Sequence, residues 1–488
     1  MNQNIENMTI KQQARNASIY MIPVLSSNIL PIISLPIILS YLSPEEYGSY
    51  ALSLAFATVV VGFCQVSLFN VFERNYFAYK NNRAELLYTI VSFIFFISSI
   101  TGILIYNNKR ILANWFIQNQ ELSLLLFITY CGWAIFSINN YFLSFIKNSG
   151  KATLNVGFTI AGNIICFLLN IFFVAYLQVG PLGLAFGLLI SNSIIFIMAN
   201  IYFLSSMQYS FNSSILIGSL KLSLPLFPTG ILALFGKQFD KYIIGVIAGA
   251  GGTGIYSLGQ RISNLVAQFM NAIQKVYGPI VYHKMFSGGA KGNKEIGNYL
   301  TPFAYFSVGA ALFFSLFSEE ALIILAPPEY LKSIGVINLL SIRFALTFFA
   351  KQPQLMYAGK TIVQSILTFI NFLFTILILY LFVNNFGLIG AAAGILLASI
   401  IYISLLIWKG QQYYKIHYEW LKLSAIYGLL IFGSISTLIF YEIGITYNIR
   451  IFIKILSCFT FIGLGMYLRI LTKNNLLILI KSYKKKDE

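Results

Sequence analysis

The chain has 488 residues, 58% of them hydrophobic and 10% charged, with a mean hydropathy of +0.77. A soluble domain carries about 25% charge, and 44 Phe and 31 Tyr are more than one soluble core of this size can hide; disordered chains are poor in aromatics and rich in charge, so that class is excluded too. The net charge of +17 would point to nucleic acid in a soluble protein, but here it follows from the Lys/Arg bias of cytoplasmic loops. An all-α integral membrane protein remains, with no nucleic-acid partner expected.

Apolar segments of spanning length recur along the chain. Fourteen spans are predicted, at about 17–42, 48–72, 86–106, 122–146, 154–177, 182–204, 219–249, 254–282, 298–317, 334–357, 361–383, 388–408, 421–441 and 450–471. The first is too long for a signal-peptide core and is expected to remain in the membrane. It carries Pro23, Pro31 and Pro36, and span 7 carries Pro225 and Pro228. Disrupted spans at matching positions of two halves point to a transport site. Pro31, Pro225 and Pro228 are therefore gating candidates. Near the end of span 7 come Lys237, Asp240 and Lys241, a second group of gating or coupling candidates. Asp240 is either a neutralising partner of these lysines or a coupling group.

Span 8 is the most informative. Arg261, Asn264, Gln268, Asn271 and Lys275 follow spacings of 3, 4, 3 and 4, which puts them on one helical face. Such a face is costly against lipid and is expected to look into a wet interior; the competing reading is a polar seam buried between helices. Span 10 adds Arg343. Intramembrane charge is thus mostly positive, which suits a phosphate-bearing headgroup and not an organic cation. Glu319-Glu320 reads as an interfacial helix end.

The basic residues divide 22 to 7 between the two sides, with three inside spans. That bias places both termini in the cytoplasm, and the Lys-rich tail reads as a topology and lipid-surface anchor. Cys64, Cys131, Cys166 and Cys458 each stand alone in apolar stretches, so no zinc site or disulfide framework is indicated. No P-loop, HExxH or GxSxG motif is present, and the loops are short; the chain reads as a non-enzyme without a metal site.

A repeat of 206 to 209 residues organises the chain. Gly48-Ser49-Tyr50-Ala51-Leu52 is matched by Gly254-Ile255-Tyr256-Ser257-Leu258, Gly150-Lys151 by Gly359-Lys360, and Gly180-x-x-Gly183-x-x-x-Gly187 by Gly387-x-x-Gly390-x-x-x-Gly394. The glycines read as helix-packing faces. Two parallel six-helix lobes, 1–210 and 211–410, are predicted around a central cavity, with spans 13 and 14 and the basic tail at 411–488.

Three segments carry a family resemblance. Leu42-Ser43-Pro44-Glu45-Glu46-Tyr47-Gly48-Ser49-Tyr50-Ala51 resembles the turn after span 1 of bacterial polysaccharide repeat-unit flippases of the Wzx type. Asp240-Lys241 through Ile243-Ile244-Gly245 to Gly254-Ile255-Tyr256, and Tyr357-Ala358-Gly359-Lys360, are similar to two further turns of that family. The resemblance covers essentially the whole chain. It implies the multidrug/oligosaccharidyl-lipid/polysaccharide exporter fold in the bacterial inner membrane. It also implies alternating-access flipping of undecaprenyl-diphosphate-linked oligosaccharide for O-antigen or capsule. Arg261, Lys275 and Arg343, with Asn264, Gln268 and Asn271, are then the candidates for the diphosphate cavity. No cofactor is implied beyond coupling to an H+ or Na+ gradient; a polymerase and glycosyltransferases are the implied protein partners. The first half, with Ser40-Tyr41 where some relatives carry arginine, is poorer in anion ligands. An ion-coupled multidrug antiporter of the same fold and a lipid II-type flippase are the alternatives.

Overall fold

The computed structural model describes residues 21–79, 81–204, 209–287, 289–350 and 353–472. The start of the first predicted span and the basic tail from Lys473 lie outside them. Among the described residues the chain is helical, with no strand. Eleven helical stretches are long and apolar enough to cross a membrane. Two of these are each two helices joined across a glycine, at Gly249 and Gly387. The protein is a multi-pass membrane protein: only lipid can cover the apolar side chains that line the outer faces of its helices.

The chain divides into two compact units, Met1–Gly254 with Leu325–Pro327, and Ile255–Ile324 with Pro328–Glu488. The first unit opens with α1 (Met21–Ile33) and α2 (Leu35–Tyr41), broken at Ser34 between Pro31 and Pro36. The Pro-Glu-Glu-Tyr-Gly motif then starts α3 (Pro44–Gln65). Its chemistry is an N-terminal cap. Ser43 Oγ accepts from the Glu46 amide at 3.2 Å, and the Glu46 carboxylate accepts from the Ser43 amide at 2.9 Å. Pro44 fills the first helical position, where no N–H is needed. The motif's glycine serves a close approach. A Cβ on Gly48 would fall on the Ala250 carbonyl, and one on Gly254 on the Pro44 carbonyl.

After α3 come α4 (Leu68–Ala78), α5 (Arg83–Phe116), α6 (Ser123–Asn148), α7 (Ala152–Ile171, running on through a π turn at Phe172–Tyr176) and α8 (Leu182–Leu204). Leu68, Phe72, Tyr76, Tyr141, Phe142 and Phe203 anchor one core of this unit. Two predicted spans need correction. Span 2 ends at Gln65 rather than running to 72, because Val66 and Ser67 adopt left-handed backbone at φ 47° and 57°. Span 3 continues past 106 to Phe116, because Leu112, Ala113 and Phe116 extend its packed stripe against Phe56 and Leu126.

α9 (Ser213–Ser223) leads through a 3-10 turn, Leu224–Leu226, into Phe227–Ser287, which Gly249 divides into α10 (227–248) and α11 (250–287). Spans 1 and 7 are therefore both interrupted beside their prolines, at Ser34 and at the Leu224–Leu226 turn, and Pro228 sits in the first turn of α10, where proline is tolerated.

The second unit holds α11 from Ile255, α12 (Gly289–Leu316), α13 (Ser318–Leu325) up to Ile324, α14 (Ser333–Ala350), α15 (Gln354–Tyr357), the halves α16 (361–386) and α17 (388–413) of Thr361–Tyr413, α18 (Trp420–Glu442) and α19 (Tyr447–Tyr467). The repeat is visible in its turns. Gly150 and Gly359 stand at φ 81° and 67°, and Gly180 and Gly387 at φ 63° and 58°. The first pair closes α6 and α15 with the same double bond. Gly150 N–H donates to Lys147 O and Lys151 N–H to Ile146 O; Gly359 N–H donates to Met356 O and Lys360 N–H to Leu355 O. That geometry requires a residue tolerating positive φ. Gly183 and Gly187 pack on the end of the helix before them, as Gly390 and Gly394 do.

Candidate functional site

The polar face of α11 is set by the packing of its other face. Leu258, Ile262, Val266, Met270, Tyr277 and Val281 are fully buried. The Tyr277 ring sits between Phe303 of α12 and Phe348 of α14, at 5.7 and 5.4 Å between centroids. Near its start, Ser333 Oγ donates to Ile255 O at 2.7 Å, and Gly259 lies so close to Val336 that a Cβ would come within 2.8 Å. With that side fixed against α12 and α14, the opposite side is determined. Asn264, Gln268, Asn271 and Lys275 are exposed and Arg261 is half-buried. The five residues share one open face of the second unit, not a sealed seam.

Arg343 lies on α14, half-buried. Its Nε donates to Ser399 Oγ of α17 at 3.1 Å, and its guanidinium stands 5.2 Å from the Phe344 ring centre. Ser399 is a neighbour that spacing alone did not single out. Lys237, Asp240 and Lys241 lie on α10, in the first unit. The Asp240 carboxylate accepts from the Lys241 amide at 2.8 Å, and Lys241 Nζ donates to Gln238 at 3.3 Å. The gating candidates are thus assigned to the first unit and the anion candidates to the second.

Two features escaped the sequence reading. The first is neutral and polar. Asn163 of α7 donates to Ser26 Oγ of α1 at 3.0 Å, buried Asn139 of α6 donates to Asn192 O of α8 at 2.9 Å, and Gln65 donates to Ser137 Oγ. Asn155, Asn163 and Asn170 on α7 recur at near-heptad spacing, a signal readable in the sequence. The second is ionic. Glu319 and Glu320 of α13 meet Arg450 and Lys454 of α19. The Lys454 side chain is 2% exposed and donates to Glu319 at 2.8 Å and to Glu320 at 2.7 Å. Arg450 donates to Glu319 at 2.6 Å. Both carboxylates stand in the first turn of α13, so the helix end is one with specific cationic partners. Burial pushes the Glu319 pKa up, but the bonds from Arg450 and Lys454 outweigh it and hold the carboxyl below its ordinary range. Elsewhere, Glu73 is likewise held low: burial opposes, while Lys147 at 2.6 Å and Ser144 at 3.0 Å prevail. Among the described residues no cluster of metal ligands occurs.

The family described as "Polysaccharide biosynthesis protein" matches residues 38–335. No curated protein matches the sequence. Among solved structures, "Lipid II flippase MurJ, inward closed conformation" is similar over 93% of this chain and 99% of its own, with TM-score 0.68 at 16% identity. "Inward-facing conformation of a multidrug resistance MATE family transporter of the MOP superfamily" is similar over 84% and 98%, with TM-score 0.60 at 18% identity. These likenesses give the fold: all-helical, of the MATE and MurJ kind.

Proposed function

The chain belongs to the polysaccharide biosynthesis protein family, and from that premise we propose that it is a flippase for lipid-linked oligosaccharide. The substrate is undecaprenyl-diphosphate carrying a short repeat unit. It moves from the inner to the outer leaflet of the bacterial inner membrane, by alternating access, to supply O-antigen or capsule assembly. Both termini face the cytoplasm. A polymerase and glycosyltransferases act on either side of the step, and an H+ or Na+ gradient supplies the bias. The observation that carries this reading is the open face of α11, on a helix whose other face is buried.

Arg261 and Lys275 stand about 21 Å apart along α11 at ~1.5 Å rise per residue, with Asn264, Gln268 and Asn271 between them. Cations and amide donors in that order suit a diphosphate and the sugar hydroxyls next to it. Arg forms forked bonds to phosphate oxygens and Lys acts as a point charge. Arg343, braced by Ser399, adds a third cation. The prenyl tail has no polar group and stays in lipid. The energy needed for transport covers only the difference in binding between two states.

The test is complementation. Wild type, Arg261→Ala, Lys275→Ala and Arg343→Ala are expressed in a host that lacks its own repeat-unit flippase and makes the matching glycan. Surface polysaccharide and membrane protein level are both scored. Rescue by wild type and loss in the variants at equal protein level is expected. No rescue by wild type removes the flippase reading in favour of a drug antiporter. Rescue by every variant removes the site.

A further inference from the structure

Helices α5 and α6 of the first unit leave a cleft of about 400 Å³ between them, lined by Phe95, Ser99, Ile103 and Tyr106 of α5 and by Cys131 and Ile135 of α6. From Phe95 to Tyr106 the helix rises about 16 Å at ~1.5 Å per residue. The cleft is therefore elongated along the helix, and its lining is almost wholly apolar. Its rim is open: Phe95, Ile103 and Tyr106 are each at least half exposed.

The face of α5 that lines the slot does not stop at Tyr106. Lys109 and Arg110 follow three and four residues later, on the same side of the helix. The Lys109 ammonium lies 3.8 Å from the centre of the Tyr106 ring. Arg110 is exposed. An apolar slot thus ends at two cations within one turn. We infer that this is a binding site for an anionic phospholipid, with one acyl chain between α5 and α6 and the phosphate on Lys109 and Arg110. The site is separate from the α11 face and stands whether or not the flippase reading does.

Each cation near a lipid surface favours an anionic headgroup roughly fivefold, so the pair predicts about 25-fold selection. The full chain is placed in phosphatidylcholine nanodiscs with a few per cent of a lipid bearing a diazirine on its acyl chain. The probe is phosphatidylglycerol in one arm and phosphatidylcholine in the other. Crosslinked peptides are then mapped. Phosphatidylglycerol is expected to label 95–106 and 131–138 about 25-fold more than phosphatidylcholine. Lys109→Gln/Arg110→Gln, a surface change, reduces this to the phosphatidylcholine level; Ser99→Phe, which fills the slot from its rim, removes labelling by both probes. Equal labelling by the two probes, or labelling unchanged in Lys109→Gln/Arg110→Gln, means ordinary annular lipid and overturns the proposal. Displacement by undecaprenyl phosphate but not by unlabelled phosphatidylglycerol assigns the slot to the other lipid and overturns it as well.

Discussion

Lys454→Met is the sharpest perturbation of the fold. The Lys454 ammonium is almost wholly buried and joins two carboxylates, Glu319 and Glu320, to α19. Glu319 keeps Arg450 when the lysine is removed, but Glu320 loses its close cation. Removing one partner of a buried ion pair costs about 3–5 kcal/mol, because the other charge is left uncompensated. Glu320 is 19% exposed and can draw in some water, so the lower end, about 3 kcal/mol, is expected. At ~2 °C per kcal/mol for a chain of this size, the apparent Tm of the purified protein falls by about 6 °C. Lys454→Met/Glu320→Gln removes the stranded charge together with its partner. It is expected to recover most of the loss, since replacing a whole buried pair is often close to neutral. Tryptophan-fluorescence melting in one detergent measures all three proteins. A single variant within 2 °C of wild type, or a double variant no better than the single, refutes the assignment of Lys454 as the cation that holds α19 to α13.

The same tetrad sets a pH dependence. Glu319 has a depressed folded pKa, so its contribution is present above the unfolded value, near 4.5, and is lost as pH falls through the lower folded value. Melting temperature should hold from neutral pH to about 4.5 and fall below it, and Glu319→Gln should flatten that fall; an unchanged acid limb counts against the pairing. Gly254→Leu places a side chain on the Pro44 carbonyl, so it is expected to abolish complementation or expression, whereas Gly278→Ala, where a Cβ meets nothing within 4 Å, leaves both near wild type. Val66 is β-branched and held at φ 47°; left-handed backbone costs such a residue about 1–2 kcal/mol. Val66→Gly should therefore lose less stability than the truncation alone removes. A Val66→Ala that melts higher than Val66→Gly contradicts the strain.

The sequence makes some of this legible and hides the rest for physical reasons. The recurrence of Gly150, Gly180, Gly359 and Gly387 was readable as a repeat; that each stands at positive φ, where glycine is favoured, is a property of the backbone that spacing does not carry. The α11 face was readable because helical period is fixed by backbone geometry. The break at Val66–Ser67 was not, since neither proline nor glycine marks it; tertiary contact holds it, with Ser67 Oγ donating to Leu226 O at 3.4 Å in the broken part of span 7. The tetrad was hidden because Glu319 and Lys454 are far apart in the chain and each, taken alone, resembles a charge at a helix end.

The two halves differ in their chemistry. Gly48 and Gly254 fix the local offset at 206, so the α11 residues Arg261, Asn264, Gln268, Asn271 and Lys275 correspond to Ala55, Thr58, Gly62, Gln65 and Phe69 of the first repeat. None of these is charged. Their surroundings explain why none needs to be. A Cβ on Gly62 would fall on the side chain of Leu234 in α10, and Phe63 packs edge-on against Phe227 and Phe235 at 5.8 and 6.1 Å. In the first repeat part of this face packs on α10, with Gly62 against Leu234, and α3 ends at Gln65. In the second repeat the helix continues unbroken to Ser287, and the equivalent face stays open and carries two cations. Duplication kept the turns, which backbone geometry enforces. The polar residues of this face stand exposed or half-buried in the second repeat, whereas Ala55 is buried in the first, where an unpartnered charge would destabilise the unit by several kcal/mol.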